Sequence, residues 1–554
     1  MYENSLASPS VIEHIESLNA REDYQGIIDF IEAMPAERRT SEIIGQLARA
    51  YNNLAAPGET EPFEKALALL DTVPDKDRQN HYWHFRRAYA LFYLDRVIES
   101  VPHWEKALKF RPGDSDTETF LESSRRCLAA ERFFQPFSER ADVAWKAFVA
   151  DEASLRRLCA SGPVGRRQAE ERVRRIFDRL IHDRHDRRTL RVEEDGEEGE
   201  RLILVFSPAG RRLTALALRE IVRRAPDVLR GHWRVVLGVG PGLGSKVPGA
   251  VSAPVEAEAA GRILRADELH VRPEKKPGGQ WRLVFTGPAL FDATQEEAPA
   301  LFEALGEMLD TLIGEAVRMR WFAEMTLRTG AAEEGMPLEA LPAFVCETIP
   351  ESEGFDFDDY LALKTEVRRK PERKTEGDPL LDAYRIETVC PMLHNDYLKD
   401  HTDLMTELER QGATAGFLWF VPKTDTPQER DRLRESLEAR LRSLAPEALL
   451  TTGSGSALSY EYVEFVAWKS DAVFEKLFEW VTAEEDVLRA GFRSFLRRAR
   501  GVRLKDVEET AFPQVPQERI ENSADGASDE KAEGGHGKAR ALRSSKSRKT
   551  YAAD

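Results

Sequence analysis

The chain has 554 residues and a formal net charge of -17, with 42% hydrophobic and 9% aromatic residues. This length exceeds what one hydrophobic core supports, so several domains are expected. The hydrophobic content excludes disorder of the whole chain. The negative charge argues against general binding to nucleic acids or anionic membranes, because both require a positive surface. We therefore expect neither a membrane nor a nucleic acid as partner.

The N-terminus and the cysteines favour a cytoplasmic protein. Residues 1–10 lack the basic region and apolar run of a secretory signal. No stretch of about eighteen apolar residues is present either. The four cysteines are scattered, without the paired spacing of zinc or redox sites. They are Cys127, Cys159, Cys346 and Cys390. Free thiols in a reducing compartment are the simplest interpretation, and we expect no cofactor.

Residues 81–114 carry the most specific pattern in the chain. Small and large apolar residues alternate there at the spacing of two packed helices. They are Ala88, Leu91, Leu94, Ser100, Trp104, Ala107 and Pro112. This spacing resembles the tetratricopeptide repeat, in which a 34-residue unit forms a helical hairpin. Arg87 and Pro102 depart from the family pattern. One unit cannot bury its own apolar face, so neighbouring units are expected.

Two weaker units precede this repeat. In the nearer one, Leu47, Ala48 and Tyr51 keep the first-helix spacing, and Ala66 and Leu70 follow in a second helix. Residues 11–18 and 24–34 form another amphipathic pair. We predict three helical hairpins over residues 8–112 and a capping helix over 114–131. An ordinary helical bundle is the alternative.

The resemblance implies a binding groove lined by the first helix of each repeat. The corresponding positions of the strong repeat are all aromatic: Tyr82, Phe85, Tyr89, Phe92 and Tyr93. The preceding unit contributes Arg49, Asn52 and Asn53 at these positions, beside Glu42 and Gly45. Aromatic anchors with polar neighbours are typical of peptide-binding hot spots. The predicted ligand is a protein or peptide segment. Alternatively, the chain's own following residues, among them Leu121, Phe133, Phe134 and Phe137, fill the groove.

Beyond the helices, short apolar runs alternate with amphipathic segments. The first set predicts strands at 202–206, 233–237 and 281–285, helices at 211–224 and 296–312, and extended structure at 317–327. The second set predicts strands at 415–421 and 459–468, helices at 426–444 and 471–481, and an edge segment at 491–496. Both sets indicate an α+β domain, a sheet with helices on one face.

These patterns give a multidomain fold class. We predict an all-α tetratricopeptide-like domain over residues 1–131 and a first α+β domain with a helical lead-in over 132–345. A charged linker at 346–378 and a second α+β domain at 379–508 follow. Residues 509–554 are polar, small and charged, and they predict a disordered tail.

Three other sequence features are candidate ligand sites. The glycine-rich loop 238–246 lacks the spacing of a phosphate-binding loop or a dinucleotide fingerprint, so it predicts a surface loop. His182 and His185 could offer two nitrogens to a metal, but arginines surround them, and we predict no metal site. The arginine-rich segment 166–191 is followed by six acids at 193–200, which favours pairing within the chain.

Cys390, His394 and Asp396 form the tightest cluster of catalytic residue types. A thiolate near an imidazole is how cysteine nucleophiles are activated. Nearness in sequence proves little, however. We expect a strand-to-loop junction in which Cys390 packs and His394 is solvated, and we assign no catalytic residue.

The complete arrangement resembles uncharacterised bacterial proteins in which tetratricopeptide helices precede one or two α+β domains. The resemblance rests on 202–237, 304–307, 337–342 and 390–397, and the family has no known reaction. The leading hypothesis is a cytoplasmic scaffold or adaptor without chemistry of its own. One alternative is an enzyme with a site in an α+β cleft, whose repeats recruit a protein substrate. Another is a nucleic-acid-associated protein. The oligomeric state is open.

Overall fold

The structure is a computed structural model, and it describes most of the chain. The described residues are 9–56, 59–130, 132–181, 189–194, 201–241, 255–322, 324–329, 335–370, 380–424 and 426–505. His182, His185, residues 195–200, most of the loop 238–246 and the predicted tail lie outside them. Within the described ranges, none of the helices has the length and apolarity needed to cross a membrane.

The N-terminal part is helical. Its helices are α1 (Pro9–Ala20), α2 (Tyr24–Glu32), α3 (Ser41–Leu54), α4 (Glu61–Thr72), α5 (His81–Tyr93), α6 (Val97–Phe110) and α7 (Ser115–Ala130). Each helix packs against the next. Side chains cap several N-termini, since Asp23, Thr40 and Asn80 accept hydrogen bonds from the first turns of α2, α3 and α5. The prediction that the N-terminal part of the chain is helical is therefore confirmed.

Two compact units divide the chain. The first contains residues 1–139 and 365–554, and the second contains residues 140–364. The division falls within α8 (Phe137–Ala160), which α9 (Pro163–Phe177) follows. The helical N-terminal part thus shares a compact unit with the C-terminal sheet.

The second unit begins with a small mixed sheet. Strand β1 (Leu190–Glu194) is antiparallel to β2 (Leu202–Phe206), which is parallel to β3 (Trp233–Leu237). Helix α10 (Arg212–Arg223) connects the two parallel strands, as the alternation of runs predicted. All five side chains of β2 are buried, which explains its uninterrupted apolar sequence. Trp145 of α8 donates a hydrogen bond to the Ile221 carbonyl at 2.9 Å.

Further strands of this unit surround a larger core. They are β4 (Glu256–Ala259), β5 (Arg262–Arg265), β6 (His270–Lys275), β7 (Trp281–Thr286), β8 (Glu324–Leu327) and β9 (Met336–Pro337). The helices are α11 (Ala298–Ile313), α12 (Glu315–Trp321), α13 (Leu341–Thr348) and α14 (Phe357–Ala362). Strands β4 and β5 pair with each other, and the remaining four form a sheet in the order β8-β7-β6-β9. Leu305 and Leu309 of α11 are fully buried in the core with Phe285.

The C-terminal part is built on a seven-stranded antiparallel sheet. Its strands are β10 (Thr365–Arg368), β11 (Ala383–Thr388), β12 (Thr414–Pro422), β13 (Leu449–Ala457), β14 (Glu461–Ala467), β15 (Val487–Ser494) and β16 (Val502–Lys505). Their order is β10-β11-β13-β14-β12-β15-β16. The helices are α15 (Pro391–Lys399), α16 (Asp403–Gln411), α17 (Pro427–Leu444) and α18 (Ser470–Ala483). Both predicted regions therefore contain sheets with helices.

Several elements differ from the sequence expectation. The segment 317–327 was predicted to be extended, but α12 covers its first part, because Val317 and Met319 bury against neighbouring elements. The predicted edge segment 491–496 belongs largely to β15, which pairs on both sides and is not an edge. Within residues 346–378, where a linker was predicted, α14 and β10 form. Helices also lie on both faces of the large sheet: α17 and α18 cover one, and α15 places His394 on the other.

Candidate functional site

The predicted groove residues divide into a packed set and an open set. Phe92 is only 6% exposed, and Tyr82 is 57% exposed. Phe85, Tyr89 and Tyr93 are intermediate. The sequence prediction treated the five aromatics as one wall, and the structure separates Tyr82 from the other four.

Residues of the chain itself cover the packed set. The Phe120 ring of α7 lies 5.2 Å from the Tyr89 ring and 6.2 Å from the Phe85 ring, measured between centroids. The Phe134 ring is stacked on Tyr93 at 5.9 Å. Contacts of this kind stabilise the helical part by burial and by edge-to-face geometry. Following residues of the chain therefore cover most of the aromatic wall. Phe134 was among the residues named for this alternative and Phe120 was not, whereas Phe137 contacts Trp468.

Tyr82 contacts Arg86, a partly buried residue that the sequence prediction missed. Its guanidinium lies over the Tyr82 ring, 5.5 Å from the centroid. One terminal nitrogen donates to the Gln46 side-chain carbonyl at 3.4 Å. A Cβ atom on Gly45 would lie 2.5 Å from the other terminal nitrogen, so glycine leaves room for the guanidinium beside α3. Glycine inside a helix lowers stability by roughly 1 kcal/mol relative to alanine. An alanine at position 45 would favour the helix but would displace the Arg86 guanidinium.

The positive charges of Arg49 in α3 and Arg86 in α5 act on each other. Burial lowers the pKa of Arg86 to about 10, and the positive charge of Arg49 adds to this effect. Tyr82 and the carboxylate of Glu42 act in the opposite direction without cancelling it. Across the described ranges, neither Arg49 nor Arg86 forms an ion pair with an acid. An anion bound between them would relieve the repulsion.

The two asparagines have local partners. The Asn52 amide is 4% exposed and donates to the Arg86 carbonyl at 3.0 Å, which joins α3 to α5. The Asn53 amide donates to the Arg49 carbonyl at 3.0 Å and is partly exposed. Asn52 therefore fixes the position of Arg86, while Asn53 lies one helical turn beyond Arg49.

In the cluster Cys390, His394 and Asp396, the expectation for Cys390 is confirmed and the expectation for His394 is wrong. Cys390 is fully buried, as expected, but His394 is 2% exposed instead of solvated. Its Nε2 lies 2.5 Å from an oxygen of Glu464, a buried residue of β14. Asp396 is directed elsewhere, since its carboxylate accepts a hydrogen bond from the Leu404 amide. A pairing between residues seventy positions apart leaves no local signal in the sequence.

The arginine-rich helix is paired within the chain. Arg166 of α9 forms an ion pair with Glu194, and Arg172 lies 2.8 Å from Asp151. In the described residues, no group of three metal-ligating side chains is found. Comparison of the chain with models of protein families, with curated proteins and with solved structures gave no significant match.

Proposed function

We propose that the helical part is a tetratricopeptide-type module that binds an acidic protein segment, and that the chain acts as a cytoplasmic, bacterial scaffold or adaptor. Support for the repeat comes from burial at its small and large positions. Ala88, Ser100, Trp104 and Ala107 are all fully buried. The sequential packing of α1 to α7 is also what such repeats require.

The adjacent arginines carry the proposal for the ligand. Arg86 lies over the exposed Tyr82 ring and is subject to the positive charge of Arg49. Like charges held together destabilise a protein unless something offsets them. A glutamate or aspartate side chain of a partner would satisfy both guanidinium groups. The Tyr82 ring offers an adjacent apolar surface for the partner's chain.

Fluorescence anisotropy with labelled peptides tests this proposal. One probe alternates glutamates with aromatic residues, and the second has glutamine at every glutamate. We expect the purified chain to bind the acidic probe, with affinity that decreases as salt concentration increases. Arg86→Gln should weaken binding by roughly tenfold or more, the value of one charge-assisted hydrogen bond.

Arg38→Gln is the matched control, because Arg38 is exposed and belongs to the short helical turn Ala36–Arg38, and to neither α3 nor α5. It changes the net charge equally and should leave binding unchanged. If both probes bind with the same affinity, or if both variants behave alike, the arginine pair does not recognise acidic ligands and the proposal fails.

A further inference from the structure

Helix α9 lies along the edge strand β1 in an antiparallel alignment. Three contacts join them, each from a long side chain of the helix: Arg174 to the Leu190 carbonyl at 3.1 Å, Glu170 to the Val192 amide at 3.0 Å, and Arg166 to the Glu194 carboxylate. Steps of four residues along the helix, about 6 Å, match steps of two residues along the strand, about 7 Å. The N-terminal end of α9 therefore lies beside the C-terminal end of β1.

A cleft of about 490 Å³ is present where these two ends meet. This volume is within the range of small-molecule sites, roughly 300–1,000 Å³. Most of the side chains that line the cleft are charged: Arg166, Arg167, Glu170, Glu193 and Glu194. Pro163 and Val192 provide the apolar part of the lining. Because burying charged groups against an apolar molecule is costly, the lining favours a polar, charged ligand.

The N-terminal end of α9 provides the positive side of the cleft. Pro163 is the first residue of the helix, and Gly162 before it has no side chain that could cap the first amides. Such amides and the helix dipole attract anions. Arg167 adds an exposed guanidinium that forms no hydrogen bond or ion pair with the described residues. Together these groups suit a carboxylate.

Glu193 of β1 provides a negative charge in the same cleft. It is half-buried, and within the described ranges it forms no direct hydrogen bond or ion pair. Burial raises the pKa of Glu193 and the negative charge of Glu170 adds to this effect, while the positive charges of Arg191 and Arg166 oppose it. A cationic group of a ligand would give the ionised carboxylate the direct partner that it lacks.

We propose that this cleft binds a free amino acid with a cationic side chain, such as lysine or arginine. Arg167 and the first amides of α9 receive the α-carboxylate, and Glu193 receives the α-ammonium. With two arginines and three glutamates, the lining has one negative charge in excess, which a ligand with a single net positive charge balances. Glu194 is exposed and contacts Arg166 through one oxygen, so its other oxygen accepts the side-chain cation. The cleft belongs to the second unit and does not depend on the groove.

Isothermal titration calorimetry of the full-length protein with L-lysine tests the proposal. Two matched compounds each remove one charge, since cadaverine lacks the carboxylate and L-norleucine lacks the side-chain ammonium. We expect both to bind roughly tenfold or more weakly than lysine. Arg167→Gln and Glu193→Gln should each weaken lysine binding by roughly the same factor. Arg230→Gln and Glu258→Gln change exposed charges outside the cleft and should bind lysine like the wild type.

Hydrogen exchange locates the bound ligand. Lysine should slow exchange in peptides that contain residues 163–170 and 190–194, and it should leave peptides from α3 and α5 unchanged. The proposal is overturned if lysine gives no heat of binding at millimolar concentration, or if exchange slows only outside these peptides. It is also overturned if cadaverine binds as tightly as lysine, or if Arg167→Gln binds lysine like the wild type. Arg167 is exposed, so this variant decides even if circular dichroism shows that Glu193→Gln does not fold.

Discussion

The buried carboxyl group of Glu315 determines how the stability of the second unit depends on pH. Glu315 is fully buried and accepts hydrogen bonds from the Ser207 hydroxyl at 3.1 Å and the amides of Gly210 and Val239 at 3.3 and 3.2 Å. These donors favour the ionised form. Burial outweighs them and, with the nearby negative charge of Asp310, raises the pKa of Glu315 from 4.5 to about 7.

The sign of the effect follows from proton linkage. Between pH 4.5 and about 7, the folded state binds the proton of Glu315 more tightly than the unfolded state does. The stabilisation from this group is complete below pH 4.5 and is lost as the pH increases through 7. At about 1.4 kcal/mol per pKa unit, the loss across this window is about 3 kcal/mol.

Glu315→Gln removes this pH dependence while retaining the side-chain shape. Hydrogen exchange of peptides containing β2 and β3 measures the local free energy of opening, which is better defined than a global value in a chain of two units. From pH 5 to pH 8, the wild type should lose about 2 to 3 kcal/mol relative to the variant. Glu347→Gln, which alters an exposed carboxylate of α13, should behave like the wild type. If the local free energies of opening of the wild type and Glu315→Gln differ by the same amount at pH 5 and at pH 8, the reasoning is refuted.

Two further predictions concern the first unit. Burial alone would raise the pKa of Glu99, but Arg96 and Arg410 both donate hydrogen bonds to its carboxylate and lower the pKa from 4.5 to about 2. The stabilisation from Glu99 is therefore present above pH 4.5 and is lost as the pH falls towards 2. Glu99→Gln should lower the local free energy of opening by about 1–3 kcal/mol at pH 7 and by much less near pH 2, measured by hydrogen exchange of peptides containing α6 and α16. Gly455→Ala would place a Cβ atom against the Tyr462 phenol and the Arg385 carbonyl oxygen, and it should destabilise the sheet by about 1–3 kcal/mol, measured by hydrogen exchange of peptides containing β13. Tyr462→Ala should reduce that effect but not remove it, because the Arg385 carbonyl oxygen would still lie 2.6 Å from the Cβ atom. Equal destabilisation in both backgrounds would show that the two side chains do not compete for space.

Local periodicity predicted the regular elements well. The helices α1, α2, α7 and α17, and the strands β2, β3, β12 and β14, lie close to the predicted ranges, because each carries a complete amphipathic or apolar pattern. Short strands were missed. In β4, exposed glutamates alternate with partly buried alanines, so no apolar run is present. The sheet β8-β7-β6-β9 depends on such strands, and only pairing between distant residues stabilises them.

The candidate sites were less accessible to sequence reasoning, because their residues converge from distant segments. Tyr82 and Arg49 were found through repeat positions, whereas the pairing of His394 with Glu464 depends on the register of β14. Repeat positions also could not show that Phe120 and Phe134 would cover the aromatic wall. Whether these rings cover the aromatic residues depends on packing between neighbouring helices. The position of a residue within one repeat does not determine that packing.

Glycines inside regular elements offer a signal that could have narrowed the search. Glycine weakens a helix or a strand, so it persists where a neighbouring group needs the space of a Cβ atom. Gly45 in α3 faces the Arg86 guanidinium, and Gly453 and Gly455 in β13 face Glu464 and Tyr462. In each case the group that occupies the space is polar. At Gly416 of β12 and Gly491 of β15, the neighbouring group is instead the ring of Phe492 or of Trp419. A glycine within an otherwise regular pattern therefore indicates a close approach by another group, and only the structure identifies that group.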